Sequence, residues 1–137
     1  MTCAVFLAPT GVDEVVRQVA PEGTVTIFFS DIEGFTSMNE RLGDQRAREI
    51  LREHIFEVVG HFRGKVYQWD VANEVIDDSG NLRDTLWLQQ LGPGYIADAF
   101  RWAHQADPRV KLYLNDYNVE GISAKSTAYV ELIKQLR

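Results

Sequence analysis

Three apolar runs in the sequence are rich in β-branched and aromatic residues and are bounded by residues that break regular structure. They are residues 24–29 (TVTIFF), 65–71 (KVYQWDV) and 110–114 (VKLYL). Short runs of this kind are typical of strands that are buried in a parallel sheet. The pattern therefore predicts three strands, and the spacing of about 40 residues between them leaves room for a helix after each one.

Amphipathic stretches occupy that space. Apolar residues recur at helical spacing over residues 36–62, 94–105 and 123–136, with charged residues between them. A short strand at residues 4–7 and a helix at residues 12–19 would complete the pattern. Strands that alternate with helices predict an α/β fold, here three to four parallel βα repeats joined by right-handed crossovers.

The composition is that of one soluble globular domain over residues 1–137, with 45% hydrophobic and 25% charged residues. The net charge of −6 disfavours nonspecific nucleic-acid binding. No apolar run reaches the roughly 18 residues of a membrane span, so no membrane partner is expected. No Lys or Arg precedes the first apolar residues, so the chain as written is expected to be cytoplasmic. A complete eight-unit βα barrel is excluded, because it takes about 250 residues.

Polar residues cluster where the three predicted strands end. Asp31 follows the first strand, Asn73 and Glu74 follow the second, and Asp116 follows the third. The carboxyl ends of parallel strands lie along one edge of a sheet, so we expect Asp31, Glu74 and Asp116 on a common rim where ligands collect. The alternative is that these residues form turns and helix caps, as Asp and Asn often do.

Glu74 is the strongest candidate for chemistry at this rim. A carboxylate that directly follows an apolar strand is expected in a partly desolvated place, which suits a proton donor. Asn73 beside it could hold a substrate hydroxyl, and the rings of Trp69 and Tyr117 could offer flat faces to a sugar or a base. The alternative for the aromatic residues is simple packing in the core.

Residues 54–137 resemble the middle of a glycoside hydrolase family 10 endo-1,4-β-xylanase. The resemblance is carried by HIFEVVGHFRGKVYQWDVANE, LGPGYIADAFRWAHQADP and KLYLNDYNVEG, in that order. It implies a fragment of an eight-stranded βα barrel around the fourth and fifth strands, with xylan-type polysaccharide as the substrate. It also implies that Glu74 is the general acid/base, that Asn73 contacts the sugar at the cleavage site, and that the NDYN motif adds Tyr117 and Asn118 to the substrate-binding set.

The family's nucleophile lies in a TELD-like motif, and the sequence contains no such run. A retaining glycosidase needs both an acid/base and a nucleophile. The expected activity is therefore weak or absent, and whether the chain is an enzyme stays open. No cofactor is expected for this chemistry.

Residues 23–54 (GTVTIFFSDIEGFTSMNERLGDQRAREILREH) resemble the start of a class III adenylate or guanylate cyclase catalytic domain. That resemblance implies a metal site for Mg or Mn, with Asp31 binding through its side chain and Ile32 through its backbone carbonyl. The two resemblances together indicate a chimera of a segment at residues 1–53 and a segment at residues 54–137. The second cyclase Asp, in a GDG-like hairpin, is absent from the sequence, which argues against cyclisation.

Three functions stay open at this point: a xylanase-like carbohydrate-active fragment, a cyclase-like nucleotide or metal binder, and a scaffold without a ligand. A partial barrel has open strand edges and an apolar inner face, so we also expect a homo-oligomer.

Overall fold

A computed structural model describes residues 43–136 of the chain. Its regular elements are helix α1 (Asp44–His61), strand β1 (Gln68–Asn73), helix α2 (Leu86–Leu91), helix α3 (Tyr95–Ala106), strand β2 (Lys111–Asn115) and helix α4 (Ala124–Gln135). Several predictions lie outside the described residues: the elements at residues 4–7, 12–19 and 24–29, and the metal ligands Asp31 and Ile32.

The two described strands pair in parallel, as the sequence predicts. The register runs from Gln68 opposite Lys111 to Asn73 opposite Asn115, and it shifts by one residue between Asp70 and Ala72. This irregularity is a β-bulge, which bends a strand and changes the face to which the following side chains point. Its result is that Asn73 and Asn115 stand side by side at the carboxyl end of the sheet.

Strand β1 begins three residues later than the sequence predicts, because a turn follows α1. The amide of Lys65 donates to the carbonyl of Phe62 at 2.8 Å, and Gly64 has a φ of 75°, a conformation that glycine adopts without strain. The carboxylate of Asp107, just after α3, accepts hydrogen bonds from the amides of Gly64 at 3.2 Å and Arg109 at 3.1 Å. Asp107 thereby joins the turn after α1 to the turn before β2.

Helices α1 and α3 pack against each other through apolar faces, and α3 also packs on both strands. Ala47 and Ile96 are completely buried, and Trp102 is 9% exposed. Buried side chains form two groups, one around Ile76 and Ile96 and the other around Phe62 and Trp69. Within residues 43–136, no helix is long and apolar enough to cross a bilayer.

Helix α2 is an element that the sequence pattern does not predict. Its six residues follow Thr85, whose hydroxyl accepts a hydrogen bond from the amide of Leu88 at 3.2 Å, and it ends at Gly92 with a φ of 67°. Helix α4 begins as predicted, with a reciprocal capping box between Ser123 and Ser126.

Candidate functional site

Asn73 and Glu74 lie where β1 ends, and β2 holds both of them in place. The side-chain amide of Asn115 donates to Oδ1 of Asn73 at 2.7 Å, and the backbone amide of Glu74 donates to the carbonyl of Asn115 at 2.8 Å. Because its Oδ1 accepts this bond, the Asn73 side chain has its Nδ2 hydrogens as donors for a further acceptor. That arrangement suits a ligand hydroxyl at this edge.

Glu74 has an unusual backbone conformation for a residue with a side chain. Its φ is 53°, in the left-handed region that costs an L-residue roughly 1–2 kcal/mol. The side chain is exposed, which corrects the prediction of a partly desolvated carboxylate. The structure therefore holds Glu74 in a strained turn and presents it to solvent, as is common at functional sites.

Trp69 packs in the core, as in the alternative that the sequence left open, and its role as a sugar platform stays a prediction. Its side chain is 6% exposed and packs in the core, with its ring centroid 5.9 Å from that of Phe62. The bulge explains why Trp69 and Asn73 point to different faces of the strand. Strict alternation would put Trp69, Val71 and Asn73 on one face, but the buried positions of β1 are Trp69 and Ala72, three residues apart.

Tyr117 and Asn118 lie just beyond the end of β2, near Glu74 in the fold. Tyr117 is 39% exposed, and its hydroxyl accepts a hydrogen bond from Nη2 of Arg83 at 2.7 Å. The ammonium of Lys125 lies 3.3 Å from the ring centroid, so a cation already covers one face of this ring. Asn118 is exposed and has a φ of 54°, which Asn tolerates better than most residues.

Asp116 stands at the strand end as predicted, but its carboxylate turns inward and not towards solvent. Its side chain is 0% exposed, and Oδ1 lies 2.8 Å from the ammonium of Lys125, itself 1% exposed. Burial acts to lower the pKa of Lys125, but the hydrogen bond and charge of Asp116 outweigh it and raise that pKa above its usual value. Lys125 is therefore charged at neutral pH.

Sequence reasoning missed Lys125 and Arg83. The first turn of a helix favours acidic residues, so a lysine at the start of α4 was a usable signal that it has a specific partner. Arg83 follows the loop after β1; its hydrogen bond to Tyr117 raises its pKa, and the charges of Glu74 and Asp116 act in the same direction. No equivalent signal marked Arg83.

No group of three or more His, Cys, Asp or Glu residues within residues 43–136 could hold a metal ion. The predicted ligands Asp31 and Ile32 lie outside that part of the chain. The described site offers a carboxylate, side-chain amides and a tyrosine ring beside the Arg83 guanidinium. These groups can hydrogen-bond a polyhydroxy ligand and transfer a proton.

Several curated relatives are endo-1,4-beta-xylanases. The chain is 48% identical over 93 residues to endo-1,4-beta-xylanase A of Thermoanaerobacterium saccharolyticum, which covers 64% of this chain and 8% of that protein. It is 50% identical over 88 residues to endo-1,4-beta-xylanase B of Thermotoga neapolitana, covering 64% of this chain and 25% of that protein. The chain thus spans a quarter or less of the length of these relatives.

The fold is also that of known xylanase structures. Native xylanase 10B from Thermotoga maritima superposes with a TM-score of 0.73 at 39% sequence identity, over 83% of this chain and 35% of that one. The predicted fold class, an α/β fold of parallel βα repeats that form part of a βα barrel, is confirmed.

The sequence profile described as Glycosyl hydrolase family 10 matches residues 25–137. This range includes most of the segment that resembles a cyclase, so the comparisons support the xylanase-like resemblance, and the cyclase-like one stays a prediction. Since the match extends over well more than half of the sequence, the chain belongs to glycosyl hydrolase family 10.

Proposed function

We propose that this chain binds xylan-type polysaccharide at the rim formed by β1 and β2, and that Glu74 acts there as the general acid/base of glycosidic bond cleavage. The observation that carries the proposal is the placement of Glu74: an exposed carboxylate held in a left-handed turn at a strand end, directly after Asn73. Xylanase 10B from Thermotoga petrophila, 38% identical over 83% of this chain, is described in complex with xylobiose.

In the proposed reaction, Glu74 donates its proton to the glycosidic oxygen as the bond to the anomeric carbon breaks. Asn73, whose Oδ1 accepts from Asn115, donates from Nδ2 to a hydroxyl of the sugar at the cleavage site. Tyr117 and Asn118 contact the neighbouring sugar. Hydrolysis in this family uses two carboxylates and needs no cofactor.

A retaining reaction also needs a nucleophilic carboxylate about 5–5.5 Å from the acid/base. Asp116 does not fill this role, because its carboxylate is buried against Lys125. The sequence contains no TELD-like run either, so we propose that turnover by this chain alone is slow.

Sodium azide tests the role of Glu74, because it supplies a nucleophile whether or not the chain places one beside the acid. The full chain is incubated with xylotetraose and azide, and shortened oligosaccharides and glycosyl azide are quantified by mass spectrometry. Xylotetraose has a poor leaving group, so its cleavage depends on the proton donor. We expect Glu74→Gln to lower the rate by about 100-fold or more, the usual contribution of general acid catalysis.

Glu120→Gln is the matched control, since Glu120 is an exposed glutamate in the loop after β2. It should leave the rate unchanged. Cleavage that survives in Glu74→Gln, or that the wild-type chain does not show even with azide, contradicts the proposal.

The remaining predictions of the sequence have their own tests. A cyclase-like site would show Mg- or Mn-dependent nucleotide binding that Asp31→Ala abolishes.

We also propose a homo-oligomer, supported by exposed large side chains such as Tyr67 at 67%, Tyr113 at 42% and Ile122 at 106% exposure. Light scattering that shows a monodisperse monomer would contradict it.

A further inference from the structure

We propose that Asp116 and Lys125 form a positioning pair for Glu74, acting through the backbone of the turn that follows β1. This inference rests on the proposed function, because it assigns to the pair the task of fixing the acid/base. The pair itself touches neither substrate nor the reacting atoms. Its effect passes through the amide of Ile76, two residues after Glu74.

The first step is the ion pair. Nζ of Lys125 and Oδ1 of Asp116 are 2.8 Å apart, and both side chains are buried. Lys125 is further held by the ring of Tyr117, 3.3 Å from the centroid, and by Oδ1 of Asp78 at 3.6 Å. These neighbours surround the Lys125 ammonium, and its charge lies directly against the Asp116 carboxylate.

The second step connects that carboxylate to the turn. Oδ2 of Asp116 accepts a hydrogen bond from the amide of Ile76 at 3.3 Å, and Oδ1 accepts one from the amide of Tyr117 at 2.9 Å. One buried carboxylate therefore joins the segment after β2 to the segment after β1. Ile76 is 1% exposed, so the core holds its side chain while Asp116 holds its amide.

The third step reaches Glu74, which is fixed on both sides. Its own amide is bonded to Asn115 at 2.8 Å, and the carbonyl of the next residue, Val75, accepts from the amide of Arg83 at 2.8 Å. Together with the bond at Ile76, these contacts hold a left-handed conformation that an L-residue would otherwise leave. Without the hydrogen bond from the Ile76 amide to Asp116, the segment after Glu74 is no longer held at Ile76.

A general stabilising role would not require charges here. An apolar pair of similar volume is often as stable as a buried ion pair, or more so. A carboxylate with two fixed acceptor oxygens, however, can orient two amides at once. The arrangement favours a role in geometry over a role in bulk stability.

Amide hydrogen exchange measured by NMR on the full chain tests the proposal. In Lys125→Met, exchange at Ile76 and Glu74 should be at least about tenfold faster than in the wild type, as expected for loss of a buried hydrogen bond. The amide of Lys111, which bonds to Tyr67 at the other end of the sheet, should keep its rate. Lys125→Arg should restore slow exchange at Ile76, and Lys134→Met, at an exposed lysine of α4, should change nothing.

Equal acceleration at Ile76 and Lys111 would overturn the proposal, because it would show a global effect, and so would unchanged exchange at Ile76. If Lys125→Met does not fold, exchange rates in the wild-type chain alone still test the proposal. The amides of Ile76 and Ser79 both bond to an Asp carboxylate, but only that of Ile76 bonds to the buried Asp116. Exchange at Ile76 as fast as at Ser79 would overturn the proposal.

The exchange data do not depend on catalysis, so the two proposals fail separately. Where azide-dependent cleavage of xylotetraose is observed, Lys125→Met should lower kcat with little change in KM, and Lys125→Arg should recover most of it. Cleavage by the wild type without a kcat effect in Lys125→Met would overturn the positioning role alone.

Discussion

The left-handed conformation of Glu74 predicts that glycine at this position gives a more stable protein than alanine does. Glu74 has a φ of 53°, and its side chain is exposed, so truncation sacrifices little packing. Alanine keeps the Cβ atom that is strained in this region, whereas glycine has none. Glu74→Ala and Glu74→Gly therefore differ mainly in backbone strain.

The magnitude follows from two opposing terms. The left-handed conformation costs an L-residue roughly 1–2 kcal/mol, and glycine gives that back. Glycine also loses more conformational entropy on folding, which costs roughly 0.5–1 kcal/mol relative to alanine. We expect Glu74→Gly to be more stable than Glu74→Ala by about 0.5–1 kcal/mol, or a Tm higher by about 2–4 °C.

Urea denaturation followed by circular dichroism measures this difference in the full chain. Glu53→Gly is the matched control, since Glu53 is an exposed glutamate inside α1; it should lose stability relative to Glu53→Ala by about 0.8–1 kcal/mol. A loss of stability in Glu74→Gly relative to Glu74→Ala, as in the helical pair, would show that the backbone at Glu74 is not strained.

Three further predictions concern the turns and hydrogen bonds that surround the site or join its elements. Gly80→Ala should lower the free energy of unfolding by about 1–3 kcal/mol, because φ is 85° and the new Cβ would lie 2.9 Å from the carbonyl oxygen of Ala124 at the start of α4. Gly94→Ala is the control, since a Cβ at Gly94 would meet no atom within 4 Å. Equal stabilities of the two variants would contradict the prediction. Tyr129→Phe removes the 2.6 Å hydrogen bond to the carbonyl of Leu114 and should cost about 1 kcal/mol in urea denaturation, and a neutral result would show that the bond adds no stability. Burial acts to raise the pKa of Asp107, but its hydrogen bonds from backbone amides outweigh this and lower it. The stability that the Asp107 carboxylate contributes is therefore present above its ordinary pKa and is lost as the pH falls through the lower pKa of the folded state. The wild type should exceed Asp107→Asn in free energy of unfolding at neutral pH, and this difference should shrink below about pH 4. A difference that stays constant in acid would contradict the prediction.

The strand and helix pattern could be predicted because runs of β-branched and aromatic residues mark the strands, and apolar residues at helical spacing mark the longer helices. The parallel pairing of residues 65–71 with residues 110–114 is confirmed, with boundaries shifted by one to three residues. Helix α2 was missed because six residues are too few to show helical periodicity.

The candidate site could be predicted only in part. Asn73 and Glu74 were identifiable because they follow a strand. The position of Trp69 could not be predicted, because a one-residue bulge reverses the faces to which the side chains of a strand point, and the composition of β1 does not reveal it. The inward turn of Asp116 depends on Lys125, whose partner is nine residues away along the chain and becomes visible only in the folded structure.

The most direct test of the central claim is a titration of the ¹⁵N-labelled full chain with xylotriose, followed by amide chemical shifts. We expect the largest shifts at Asn73, Glu74 and Asn118, at the carboxyl ends of β1 and β2. Amides at the opposite end of the sheet, such as those of Gly64 and Arg109, should not move. Shifts centred on that opposite end, or none at saturating sugar, would contradict the claim that this rim is the carbohydrate site.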